Sequence, residues 1–253
     1  MAWDALTPAG PGPGFRYASP MPLYYVPLVA GLLPIFAVGL SYLIASGLDV
    51  IPSCVPFIEG CTSISATGRY PPSNFLFRAT MLPEAVVLVT YWLLSVAWLR
   101  SLQRAAGLPG TGGRYVALLG IGASIALVLY VTFLGTREPF YEFMRRFGIY
   151  VYFLFTILAQ IFLARSLLRL PLDRFLRRLA RIQLGLALLP FALGALNTTL
   201  KATLANPDPA ENVIEWNVAV LMQAYIALSW IGWRHTGFSA DFRLAATNRD
   251  LQG

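Results

Sequence analysis

Apolar runs of about 18 residues or more recur along the chain, separated by short stretches rich in arginine, proline, glycine and hydroxyl side chains. A helix needs about 20 residues to cross the hydrocarbon core of a bilayer. The pattern predicts six transmembrane helices, over 23–46, 75–99, 115–135, 147–168, 182–203 and 213–233. The expected fold class is an all-α polytopic bundle: a tail over 1–22, a transmembrane domain over 23–233 with its first outer loop at 47–74, and a second tail over 234–253. The opening MAWDALTPAGPGPGFRYASP lacks the basic region and short apolar core of a cleaved signal. Its proline and glycine density reads as a flexible tail, so the first helix is expected to stay in the mature protein.

Periodicity within the spans predicts their faces. At 100° per residue Ser73, Thr80, Glu84, Tyr91 and Ser95 fall within about 60° of one another and form one polar stripe on the second span. Phe77, Val86, Val89 and Leu93 are expected to meet lipid, and Pro83 is expected to kink the helix just before Glu84. A carboxylate at membrane depth is costly, so Glu84 is either a functional group or a hydrogen-bonded structural one. Glu215, with Asn212 and Asn217 around it, poses the same choice. In the third span Gly120 and Ser124 stand at the spacing that lets helices approach closely. Asn197, Thr198, Thr199 and Lys201, followed by NPDPAEN, predict a polar outer rim. The segment ARSLLRLPLDRFLRRLAR is expected to lie along the inner membrane surface, leucines in the acyl boundary and guanidinium groups at phosphates.

Composition agrees with the pattern. The chain is 57% hydrophobic and 12% charged, against roughly 25% charged in an ordinary soluble domain. Thirteen arginines fall on one side of the six spans and six basic residues on the other, which puts both termini in the cytoplasm. The net charge of +7 therefore gathers on the inner face, where it suits anionic lipid headgroups and not nucleic acid.

The single histidine, His235, falls on the cytoplasmic side of this arrangement, so neither a three-histidine zinc site nor a serine hydrolase with an outer histidine base can be assembled. No metal-ligand spacing, phosphate-binding glycine loop or mid-helix retinal lysine occurs, and no metal or cofactor is expected. Any catalysis would rest on carboxylates such as Glu59 or Glu84 with a serine or threonine hydroxyl. Cys54 and Cys61, the only cysteines, both fall in the first outer loop. An oxidising compartment would let them pair around VPFIEG, subject to geometry the spacing leaves open.

The stretch EGCTSISATGRYPPSNFLFRA, residues 59–79, interrupts this apolar chain with Ser63, Ser65 and Thr67 as hydroxyls, Arg69 and Arg78 as phosphate partners, and Pro71 and Pro72 as helix stops. Two readings stand open: a headgroup site at the outer interface, or a re-entrant loop whose hydroxyls cap the start of the second helix. Its core, CTSISATGRYPPSNFLFR, resembles the first outer loop of the FRAG/DRAM/Sfk family of six-pass membrane proteins, which carries a short ISxTG or SIS element, prolines and an aromatic-arginine start to the second helix. The matching positions are Ser63, Ile64, Ser65, Thr67, Gly68, Pro71, Pro72 and Arg78.

The resemblance implies a role in membrane lipid handling, since relatives include the factor for lipid remodelling of glycosylphosphatidylinositol anchors, a regulator of phospholipid asymmetry and autophagy modulators. It supplies no catalytic residue. The expected function is to bind or remodel a phospholipid or glycolipid at the outer leaflet of the cell membrane, in a polar pocket formed by the first outer loop and the second, fifth and sixth helices. Glu84 and Ser65 would carry any chemistry, and Ser63, Thr67, Arg69 and Arg78 would hold the headgroup. The rivals are a membrane adaptor with a protein partner and a structural lipid, and a small-molecule transporter.

Overall fold

An apolar chain inside a bilayer must satisfy its backbone polar groups within itself, which leaves the helix as the available element for segments such as these. The structure, a computed structural model, describes residues 21–136 and 138–240. Among the described residues six helices are long and apolar enough to cross a membrane: α1 (Tyr25–Gly47), α4 (Ser73–Ala105), α5 (Arg114–Thr132), α6 (Pro139–Leu168), α7 (Arg174–Thr203) and α8 (Asp208–His235). Two short helices, α2 (Pro56–Glu59) and α3 (Ile64–Thr67), fold the loop after α1. The protein is an all-α six-helix membrane bundle. Phe36, Val86, Ile125 and Leu188 are among the large apolar side chains exposed on its flanks, the surface a bilayer covers.

The helices pack as a closed ring. α1 lies on α4, α4 on α5, α5 on α6, α6 on α7, α7 on α8, and α8 returns to α1. Small residues set the close approaches. A Cβ at Gly31 would come within 2.7 Å of the Ala227 backbone nitrogen, one at Gly148 within 2.7 Å of the Tyr130 nitrogen, and one at Gly120 would enter the Trp92 ring. Strands β1 (Met21–Pro22) and β2 (Ser239–Ala240) pair antiparallel, so both ends of the described chain lie on one face, opposite the loop that holds α2 and α3. Ten described arginines lie on that terminal face, against five basic residues on the loop face.

Four helices, α4, α6, α7 and α8, overrun the predicted spans, because backbone hydrogen bonding continues through charged turns that hydropathy excludes. α4 runs on through Arg100 and Arg104, and α6 begins at Pro139, where a missing N–H costs nothing. α8 begins with Asp208 and Glu211 and ends with Arg234 and His235, charges that complement its dipole. The basic segment before the fifth span is not a helix lying along the surface. Residues 169–173 form a short turn, and Arg174 to Arg181 are the opening turns of α7, capped by Asp173, which accepts the Leu176 N–H at 2.8 Å. The other Asp173 oxygen meets His235 Nε2 at 3.0 Å.

Two further expectations are corrected. Phe77 does not meet lipid: it is buried, because at 100° per residue it falls on the polar stripe itself, four residues after Ser73 and seven before Glu84. Residues 21–22 and 239–240 belong to the fold as a paired ladder instead of to tails. Residues 1–20 and 241–253, with Arg16, Arg243 and Arg249, lie outside the described residues, as does Arg137.

Candidate functional site

The loop after α1 is fastened over the bundle at many points. Cys54 and Cys61 are disulfide-bonded, with Cα atoms 6.4 Å apart. The Tyr42 hydroxyl donates to the Cys54 carbonyl at 2.6 Å and accepts the Cys54 N–H at 2.8 Å. α2 is closed by Glu59, which accepts the Val55 N–H, and ends at Gly60, whose left-handed φ of +64° is the reason for glycine there. From α8, Asn212 donates to the Gly60 carbonyl at 2.8 Å, Trp216 Nε1 to Thr62 at 2.9 Å and Asn217 to Phe57 at 3.0 Å. The polar residues flanking Glu215 therefore hold the loop.

Most hydroxyls of the opening stretch serve the backbone. Ser63 caps α3 by accepting the Ala66 N–H at 3.2 Å, buried Thr67 donates to the Ile64 carbonyl at 2.8 Å, and Ser73 donates to the Thr67 carbonyl at 2.6 Å. Arg78 donates to the Leu134 carbonyl at the end of α5. These four hold the loop and its neighbours in shape; Ser63 caps the short helix α3, whereas the N-cap of α4, Pro72, has no side-chain cap, so the hydroxyls do not cap the start of the second long helix. Ser65 differs: its hydroxyl meets the Tyr130 hydroxyl at 3.1 Å, across to α5. Arg69 makes no side-chain hydrogen bond or ion pair among the described residues.

Beneath this roof lies a cavity of about 460 Å³. Its walls are Pro34, Val38, Gly39 and Tyr42 of α1, Phe77 and Met81 of α4, Leu127 and Tyr130 of α5, Tyr152 of α6, and Trp216 and Gln223 of α8, with Val55, Phe57 and Ile64 above. Phe77 and Tyr130 meet edge to face at 6.2 Å between ring centroids. The cavity differs from the expected one in two ways. It is apolar, because the loop hydroxyls are spent on backbone, and α7 contributes no lining residue, because α7 packs on the far side between α6 and α8.

Polar groups gather at its floor and rim. On the floor the Gln223 amide donates to the Tyr152 hydroxyl at 3.2 Å, while Gln223 Oε1 has no partner among the described residues. Glu84, fully buried and within electrostatic reach of Tyr152, has no hydrogen bond to either carboxylate oxygen among the described residues. Below it Gln160, Gln183, Tyr91, Tyr225 and Ser229 form a buried hydrogen-bonded belt across α4, α6, α7 and α8. Tyr130 lines the cavity, and the charges of Glu215, Arg145 and Arg69, none of them a lining residue, act on its hydroxyl. Arg145, only 13% exposed, reaches Glu142 at 3.4 Å and leaves its buried Nε unpartnered among the described residues.

Ser65 and Glu84 are not brought together. Ser65 bonds to Tyr130 at the loop-side end of α5, whereas Glu84 lies eleven residues along α4, roughly 16 Å below its start, with no hydrogen-bond partner among the described residues. They do not form a nucleophile and base pair. Arg145 escaped sequence reasoning because it read as one of several charges near a helix start, and only the fold turns it inward. No family model, curated protein or solved structure matches the chain.

Proposed function

We propose that this membrane protein binds a lipid of the outer leaflet, its acyl chain in the cavity under the first loop and its headgroup at the rim around Tyr130. The carrying observation is the cavity itself: about 460 Å³, walled by apolar and aromatic side chains, within the roughly 300–1,000 Å³ of ordinary small-molecule sites. Gly31 packs directly on Ala227, and farther along α1 the residues from Pro34 to Leu43 line the cavity opposite α8. The partly exposed Ile35, Leu43 and Val220 among its walls give an acyl chain a lateral way in from the bilayer.

The charges of Arg69, Arg145 and Glu215 all act on the Tyr130 hydroxyl. Both signs of charge together match a zwitterionic headgroup, phosphate to the guanidinium forks and amine to the carboxylate. The excess of arginine on the terminal face and the disulfide on the loop face support cytoplasmic termini and an exported first loop, in a cell membrane. The likeness of CTSISATGRYPPSNFLFR to the FRAG/DRAM/Sfk first loop supports lipid handling as the biological setting.

The test is mass spectrometry of the purified protein in nanodiscs of mixed phospholipids, recording co-retained lipid and any new lipid species. Gly39 lines the cavity, and a Cβ there meets no atom within 4 Å. Gly39→Phe therefore fills the space and should abolish retention. Retention untouched by Gly39→Phe, or none in the wild type, overturns the reading; new lipid products extend it to an enzyme.

A further inference from the structure

The corner between α6 and α7 is the most basic part of the described chain. From Arg165 to Arg181 it carries six arginines and one carboxylate, Asp173. Asp173 is already committed, one oxygen to the Leu176 N–H and the other to His235. It is the one carboxylate on the terminal face among the described residues.

The turn shapes this charge. The Leu170 N–H bonds to Leu167 and the Leu172 N–H to Leu170, and buried Leu170 fastens the turn to the core. Pro171 stops α6 from continuing. Arg169 leaves the turn while Arg177 and Arg181, one helical turn apart, leave α7 on the same side. These three arginines, with Leu168, Leu170 and Pro171, line a cleft of about 560 Å³. None of the three guanidinium groups has a side-chain hydrogen bond or ion pair among the described residues. Arg174 and Arg178 do not line the cleft. Arginines that only orient a helix need no common concavity. Three that line one raise their mutual repulsion, which a polyvalent anion relieves.

We propose that Arg169, Arg177 and Arg181 form a binding cleft for a phosphate-rich anion on the terminal face, held by guanidinium forks. The chemistry is that of two or more phosphate groups close together, from an anionic phospholipid of the facing leaflet or from a diffusible polyphosphate. Planar forks hold phosphate bidentately, which an ammonium cannot do, and basic pockets at the cytoplasmic ends of transmembrane helices are suited to such headgroups. The cleft lies across the bilayer from the cavity and does not depend on it.

Three variants test this in the full-length protein: R169Q/R177Q/R181Q, the charge-retaining R169K/R177K/R181K, and R100Q/R104Q/R114Q, which removes equal charge from the same face elsewhere. Each is first checked by size exclusion and circular dichroism. The lysine variant keeps the charge balance that sets topology, so it remains informative if the glutamine variant misassembles. In phosphatidylcholine nanodiscs containing cardiolipin, native mass spectrometry should show cardiolipin retained by the wild type and by R100Q/R104Q/R114Q. Retention should fall at least about tenfold in R169Q/R177Q/R181Q and clearly in the lysine variant. Pyrophosphate added to phosphatidylcholine nanodiscs separates the sources: a rise in the wild-type melting temperature that R169K/R177K/R181K lacks assigns a diffusible ligand, and cardiolipin retention without that rise assigns a lipid. Equal loss in both glutamine variants, undiminished retention in the lysine variant without a pyrophosphate response, or no response to either anion overturns the cleft.

Discussion

The hydroxyl oxygens of Ser65 and Tyr130 lie 3.1 Å apart and join the roof of the cavity to its wall. The pair links α3, in a loop also held by α1, α4 and α8, to the loop-side end of α5. A part-buried hydrogen bond of this kind contributes about 1 kcal/mol net. Ser65→Ala and Tyr130→Phe should each lower stability by about that amount, and their double-mutant cycle should show coupling of about 0.5–1.5 kcal/mol in denaturant titrations. Tyr130→Phe should also weaken lipid retention, since that hydroxyl lines the cavity within the field of Arg69, Arg145 and Glu215.

Gly60 is the point at which the loop meets α8. Its φ of +64° disfavours any side chain, and a Cβ there would collide with the Pro209 carbonyl. Gly60→Ala should cost about 1–3 kcal/mol through overpacking, with the left-handed strain in addition. Proteolysis in the loop should accelerate in the variant; an unchanged cleavage rate would show the loop docks by other contacts.

How much of this was legible beforehand divides by range. Six spans could be read because each needs only its own run of apolar residues, and the buried Glu84 stripe because it needs only helical period. Phe77 could have been placed by the same arithmetic, since it shares an angle with Ser73 and Glu84. The functions of Asn212, Trp216 and Asn217 could not, because they bond to backbone carbonyls more than 150 residues away. The Ser65 contact with Tyr130 and the inward turn of Arg145 are likewise products of the ring closing. Hydroxyls in the stretch 59–79 looked available for ligand because local capping partners are not distinguishable from distant ones in a sequence.

The disulfide closes a loop of seven residues' separation, for which chain entropy gives a stabilisation of about 2–3 kcal/mol. Unreduced peptide mapping should recover Cys54 and Cys61 in one linked peptide pair. Replacing both with serine should lower the melting temperature and loosen the roof, visible as faster amide exchange over residues 54–62. Free thiols at both positions would contradict the linkage.

Asp173 ties the start of α7 to the end of α8. The Leu176 N–H, and after it His235, hold its carboxyl below the usual carboxylate range. The folded chain therefore binds that proton more weakly than the unfolded chain. The contribution is complete above the ordinary aspartate range, near about pH 4, and is lost as pH falls through the lower folded value. Melting temperature measured across acidic pH should decline less steeply in Asp173→Asn, which keeps a side-chain oxygen for the cap but cannot ionise. An unchanged slope would place the acid sensitivity elsewhere.

Glu84 sits under the cavity floor with both carboxylate oxygens unpartnered among the described residues, while the Tyr152 hydroxyl is engaged by Gln223. A buried polar group without partners lowers stability by about 1–3 kcal/mol relative to an apolar group of similar shape. Groups kept at such a cost at membrane depth are functional candidates. Glu84→Met should therefore raise stability by about that amount while weakening lipid retention or turnover in nanodiscs, the trade-off expected of a site residue. Glu84→Gln, similar in shape but unable to exchange a proton, separates the roles: retention kept with turnover lost assigns proton transfer, and both kept assigns binding alone. A Glu84→Met protein that is less stable would show that the carboxyl has a partner in the membrane, and one that is more stable with retention unchanged would remove Glu84 from the site.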